Sequence, residues 1–199
     1  VHLVAQFEDG TVVKGEDEIP KYARANRKRI KKIWLEPSGV SAPIDTVNAI
    51  LEADYIIVGP GSFYTSIIPN FLIEDIREAY RQSKAKKIFI VNAMTQPGET
   101  DGFTAFDHLQ KFVEITGLDY PHMAIVNTRM PYYRLLQKYL REGQEPVVPD
   151  VANFAKHNVQ VFAEDLIGED DNFIKHSPAK VAQLLKRVFR EGALLGVGG

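Results

Sequence analysis

The stretch that decides the fold is Asp54-Tyr55-Ile56-Ile57-Val58-Gly59-Pro60-Gly61-Ser62-Phe63-Tyr64-Thr65-Ser66-Ile67-Ile68-Pro69-Asn70. Residues 55–58 form a short apolar run, the length of a buried strand, closed by two glycines and a proline. Small and hydroxylated residues follow, then a helical pattern. Without a Cβ, Gly59 and Gly61 let a ligand approach the backbone, and Ser62, Thr65 and Ser66 supply hydrogen bonds without charge. A strand, a small-residue loop and a helix start together favour an anion, because unpaired N–H groups and the helix dipole point the same way. The stretch therefore reads either as a phosphate or pyrophosphate cradle or as a tight strand-to-helix turn. It is neither the Lys-bearing P-loop nor Gly-x-Gly-x-x-Gly.

A second unit of the same kind lies downstream. Residues 87–91 are an apolar strand, and residues 92–104 are a polar loop, Asn92-Ala93-Met94-Thr95-Gln96-Pro97-Gly98-Glu99-Thr100-Asp101-Gly102-Phe103-Thr104. A helix is expected from Ala105, with Thr104 and Asp107 spaced as a capping pair and Leu109, Phe112 and Val113 facing inward. Residues 123–126 give a third strand and residues 159–162 a late one. This alternation predicts an α/β fold, a mainly parallel, doubly wound sheet with helices on both faces. Ligands in such sheets lie beyond the carboxyl ends of the strands, where both polar loops begin. If the first two strands are neighbours, the loops meet in one crevice.

The remaining helices follow from apolar spacing. Residues 41–53 are expected to form a helix capped by Ser41, with Ile44, Val47, Ile50 and Leu51 on one face. Others are expected over 71–83, over 131–143 with Leu135, Leu136 and Tyr139 on one side, and after Ser177-Pro178, with Val181, Leu184, Leu185 and Val188 inward. Residues 1–36 read as β-rich: a hairpin through Glu8-Asp9-Gly10 and a strand over 30–35. The basic run of residues 21–32 between them reads as a solvated loop or, functionally, a polyanion patch. The chain is expected to be one domain carrying this β-rich extension. Glu169-Asp170-Asp171 reads as a solvated loop, and residues 192–199 as a frayed or truncated tail. The chain opens, strand-like, on Val1-His2-Leu3-Val4 without a methionine, which fits a fragment or a processed start.

Composition narrows the functions. A net charge of −2 gives no global pull towards nucleic acid or anionic lipid. With no cysteine, disulfides, thiolate catalysis and Cys-based zinc sites are excluded, and a reducing, cytoplasmic setting is expected. No apolar run has the length of a membrane span. The histidines, His2, His108, His122, His157 and His176, lack the spacing of a helical metal pair, and His108 reads as a helix-surface residue. In the second loop, Asn92, Thr95 and Gln96 suit a base, ribose or sugar. Glu99 and Asp101 would either hold a divalent metal against a diphosphate, act as a general base, or cap helix N–H groups.

Two segments, GPGSFYTSIIPN and VNAMTQPGETDGFTAFDH, resemble the YvcK/CofD family, the first matching its G-P-G-S-x-Y-T-S-x-x-P-N and the second its N-x-M-T-Q-P-G-E-T-D. EDGTVVKGEDEI, IKKIWLEP and KYLREGQEPVVPD fit its YvcK branch. The resemblance implies a Rossmann-like nucleotide-binding fold. On the YvcK side it implies a regulator that binds UDP-N-acetylglucosamine and supports cell-wall synthesis, cell shape and growth on gluconeogenic carbon. On the CofD side it implies a phospholactyl transferase using a guanosine diphosphate donor and magnesium. No cofactor is implied for the regulator, and a homo-oligomer, a dimer, is expected. Carried onto the matching positions, the ligand set is Gly59, Pro60, Gly61, Ser62, Tyr64, Thr65, Ser66, Asn70, Asn92, Thr95, Gln96 and Gly98, with Tyr139 and Lys175 at the nucleotide sugar and Glu99 and Asp101 at a metal. The family's opening Gly-Gly-Gly-Thr-Gly strand–helix unit has no counterpart here.

Overall fold

The computed structural model describes residues 1–168 and 173–195. Four strands build the main sheet: β4 (Tyr55–Val58), β5 (Lys86–Ile90), β6 (Met123–Asn127) and β7 (Gln160–Glu164), parallel throughout and ordered β4-β5-β6-β7. Both faces are covered, and the pleat shows it. Ile88, Ile90, Met123 and Ile125 point one way, onto Leu184 and Val188 of the last helix, α8 (Pro178–Leu195). Phe89, Val91, Ala124 and Val126 point the other way. There they meet α5 (Ala105–Thr116) through Leu109 and Phe112, and the short α7 (Val151–Ala155) through Phe154. The Rossmann-like α/β arrangement predicted from the strand–loop–helix alternation is thus the one observed.

Residues 1–36 carry a separate antiparallel sheet, β2-β1-β3, from β1 (His2–Phe7), β2 (Val12–Lys14) and β3 (Ile30–Glu36). Its Leu3, Ala5 and Phe7 join the core cluster that contains Phe89 and Phe112. The basic run is not a loop. Its first half, residues 21–26, lies in α1 (Glu18–Asn26), which buries Ile19 and Ala23 and sets Tyr22 against Phe7, with 4.6 Å between ring centroids. Three side chains on one face suffice to dock the helix, while Glu18, Lys21, Arg24 and Asn26 are exposed.

Two other helices differ from expectation. The second one, α2 (Ile44–Glu52), begins after Pro43 and has no side-chain cap; Ser41 lies outside it, and Asp75 takes the Ala42 N–H at 2.9 Å. Its apolar face is only partly covered, since Ile44 and Leu51 stay exposed. The helix expected over 71–83 starts later, as α4 (Glu74–Gln82), and two short helical pieces precede it, a π turn (Phe63–Ile67) and α3 (Ile68–Phe71). Pro69 sits in the first turn of α3, where its missing N–H costs nothing. The Thr104–Asp107 capping box is present on α5. Ser177 Oγ accepts from Lys180 N at 3.4 Å at the start of α8. Of the tail expected to fray, residues 192–195 continue α8; residues 169–171 and 196–199 lie outside the described residues.

Candidate ligand crevice

Because β4 and β5 are parallel neighbours, the loops that follow them leave the sheet side by side. They are then laced together. Asn92 exchanges two bonds with Gly61, its Oδ1 accepting from Gly61 N at 3.2 Å and its Nδ2 donating to Gly61 O at 2.8 Å. Gln96 Oε1 accepts from Phe63 N at 3.2 Å. Glu99 accepts from Tyr64 N at 3.0 Å, and the Ser62 hydroxyl points between its two oxygens at 2.8 and 3.0 Å. The two polar loops therefore form one rim.

This lacing changes how the first loop works. The start of its helical segment does hold an acidic side chain, and that side chain is Glu99, 5% exposed. Burial raises its pKa, outweighing the hydrogen bonds from Tyr64 N and Ser62 that favour the carboxylate. Thr65 Oγ1 donates to Ser62 Oγ at 2.6 Å, which completes the chain of donors. Asp101 accepts from Gly98 N at 2.6 Å. For Glu99 these bonds fit the capping reading, whereas Asp101 holds a turn amide. A divalent cation would need Glu99 to release its donors, and no cluster of three or more His, Asp or Glu side chains suited to a metal exists among the described residues.

The open side of the rim is a crevice of about 420 Å3. Pro60, Gly61, Ser62, Asn92, Gln96, Tyr139 and Lys175, all in the expected ligand set, line it, joined by Gln144 and His176. Chain segments far apart in sequence hold these walls. Residues 93–95 pair with 145–147: Thr95 N donates to Glu145 O at 2.7 Å, Glu145 N to Thr95 Oγ1 at 2.9 Å, and Val147 N to Ala93 O at 3.0 Å. That pairing fixes Gln144 beside Gln96, and with it the end of α6 (Tyr133–Arg141), which carries Tyr139. The opposite wall follows β7, where Gly168 N donates to Lys175 O at 3.0 Å. Tyr139 ties the walls together, its hydroxyl accepting from Ile174 N at 3.1 Å. His176 is held neutral by burial, which lowers its pKa, and its Nε2 is buried with no partner.

The other expected ligand residues go elsewhere. Thr95 is buried against Glu145, and Tyr64 is buried, its hydroxyl pushed up to about 12 by loss of solvent. Gly98 packs under Ala23 of α1. Gly59, Ser66 and Asn70 line a different cleft, about 360 Å3 and largely apolar, between β4 and α2 to α4. His108 is not on the surface. It is 1% exposed, edge-on to Phe63 and Phe103, with Nδ1 at 2.8 Å from Thr104 O. The spacing reasoning passed over Gln144 and His176. Gln144 lies within the KYLREGQEPVVPD segment and His176 next to Lys175, so the signal was adjacency to residues already singled out.

Fold and crevice together define an α/β protein with a polar, mostly uncharged site at the carboxyl rim of a parallel sheet. The chain belongs to the CofD family: the model of that family, described as 2-phospho-L-lactate transferase CofD, matches residues 1–167. It is 49% identical over 194 residues, 98% of this chain and 59% of the relative, to a protein of Aquifex aeolicus provisionally named a gluconeogenesis factor. It is 38% identical over 191 residues to the gluconeogenesis factor of Bacillus subtilis, covering 96% of this chain and 59% of that one. A crystal structure of a Bacillus halodurans protein, a member of the UPF0052 family, superposes with a TM-score of 0.83 at 38% identity, over 92% of this chain and 58% of the other. The chain thus spans a little under three fifths of the length of these relatives.

Proposed function

We propose that this chain forms the greater part of a nucleotide-sugar site in a regulatory protein, with UDP-N-acetylglucosamine as the ligand. The protein would be a cytoplasmic dimer that supports cell-wall synthesis, cell shape and growth on gluconeogenic carbon. The observation that carries this reading is the character of the crevice. Asn92, Gln96, Gln144, Ser62 and Tyr139 are neutral donors and acceptors on one cavity, Lys175 is its cation, and His176 offers a buried nitrogen with no partner. Such a set reads hydroxyls, amides and a pyrophosphate. Among the described residues that line it there is no carboxylate, and Glu99 is engaged within the rim. The relatives named as gluconeogenesis factors support the same side of the family.

The matching family model favours a second reading, a phospholactyl transferase with a guanosine diphosphate donor and magnesium. Calorimetry on the full-length protein separates the two. UDP-N-acetylglucosamine and guanosine diphosphate are each titrated with and without magnesium. Magnesium-independent binding of the uridine sugar, weakened about tenfold by Tyr139→Phe, is the expected result. Guanosine preference that depends on magnesium would replace the regulator with the transferase.

A further inference from the structure

Behind residues 96–101, on the side away from the crevice, lies a cavity of about 600 Å3 whose lining includes Arg24, Arg27, Arg29 and Arg141. The first three come from the basic run and the fourth from the last turn of α6. Against four guanidinium groups the lining offers two carboxylates, Asp101 and Glu142. Asp101 accepts from Gly98 N at 2.6 Å, and Glu142 accepts from Gln144 Nε2 at 3.4 Å. Among the described residues none of the four arginines has an ion-pair partner, whereas Arg77, Arg81, Arg129 and Arg187 each have one.

Two features make this more than a solvated face. Like charges that share a concave surface repel, and a cleft between low-dielectric walls concentrates their field. Arg27 also stands at the C-cap of α1 with φ 51° and ψ 45°, the left-handed region where glycine or asparagine is the inexpensive choice. An arginine there trades backbone strain for a guanidinium at the cavity. Guanidinium forks match phosphate oxygens two at a time, and the volume suits a small ligand.

We propose that this cleft is a second anion site, which takes a small compound bearing two or more phosphate groups. It is separate from the crevice but backs onto the same walls, since Pro97, Gly98 and Gly143 line the cleft while Gln96 and Gln144 line the crevice.

Inorganic tripolyphosphate is the probe, titrated calorimetrically into the full-length protein at low ionic strength. Wild-type protein is expected to bind it, with affinity falling as salt is raised. Arg27→Gln/Arg29→Gln should weaken binding at least tenfold, and Arg141→Gln alone at least threefold. All three side chains are exposed, so folding is expected to persist, and Arg141→Gln, outside the N-terminal unit, reads the site independently. Lys175→Gln, in the crevice, should leave tripolyphosphate binding within twofold. Absence of binding to wild type, unchanged binding by both arginine variants, or loss of binding in Lys175→Gln would each overturn the proposal. The uridine-sugar titration has its own variant, Tyr139→Phe, so either reading can fail alone.

Discussion

At the scale of single residues, Glu99 decides how the rim behaves. Its folded state holds a proton more tightly than an unfolded carboxyl, whose ordinary value is 4.5, because burial disfavours the charge. The unfolded chain then binds fewer protons over the interval from that value up to the raised one. Through this group alone, stability falls as pH climbs across the interval and is not recovered at neutrality. Glu99→Gln keeps an acceptor for Tyr64 N and removes the titration. It is expected to be at least as stable as wild type at pH 7, with a flatter stability curve between pH 4.5 and 7 in urea unfolding. Glu99→Ala leaves Tyr64 N and the Ser62 hydroxyl without an acceptor inside the protein, at a cost of about 2–4 kcal/mol. A Glu99→Gln protein that is clearly less stable than wild type at pH 7 would mean that the ionised form is what holds the loops.

At the scale of elements, Gly98 joins the N-terminal unit to the second loop. Its φ is 80°, and a Cβ there would stand 2.3 Å from Ala23 Cβ and 2.8 Å from Lys28 O. Its carbonyl also accepts from Ile30 N at 3.2 Å, at the start of β3. Gly98→Ala should therefore cost about 3 kcal/mol or more, from an unfavourable φ plus a backbone clash, and should speed amide exchange at Ile30. Gly102, φ 72°, faces open space, so Gly102→Ala should cost only about 1–2 kcal/mol. Equal losses in the two variants would remove the docking role. This joint was not legible in the sequence. Apolar runs show strands directly, which is why residues 55–58, 87–91 and 123–126 were readable and why the meeting of their loops followed. The docking of α1 rests on Ile19, Tyr22 and Ala23 meeting a core that the N-terminal sheet helps to build, and the π turn after Ser62 starts where Gln96 and Glu99 accept from Phe63 N and Tyr64 N. Both depend on partners remote in sequence. Half of the crevice was visible for the same reason: Gly61, Ser62, Asn92 and Gln96 lie on the strand-end loops, whereas Gln144 and His176 arrive through pairings that no local pattern encodes.

At the scale of the whole molecule, the sheet is asymmetric. One edge strand, β7, is followed by a segment that returns beside the crevice at Lys175; the other, β4, pairs among the described residues with β5 alone. Its Ile57 is 40% exposed, and the apolar cleft beside it is lined by Ile50, Ile56, Ile67, Phe71, Ile76 and Tyr80. A free strand edge next to an apolar cleft is a template for another strand, from the same or another chain. The 199-residue chain taken alone should therefore self-associate as its concentration rises. Ile57→Lys puts a charge at that edge and leaves the crevice residues untouched, so it should shift sedimentation-velocity profiles towards monomer. Binding of the nucleotide sugar should be unchanged by Ile57→Lys, because β4 meets the crevice only through the loop after Val58. Profiles that match wild type at every concentration would show that contacts elsewhere drive association, and the exposed apolar side chains Tyr132, Tyr133 and Leu140 on and beside α6 would then be the surface to alter.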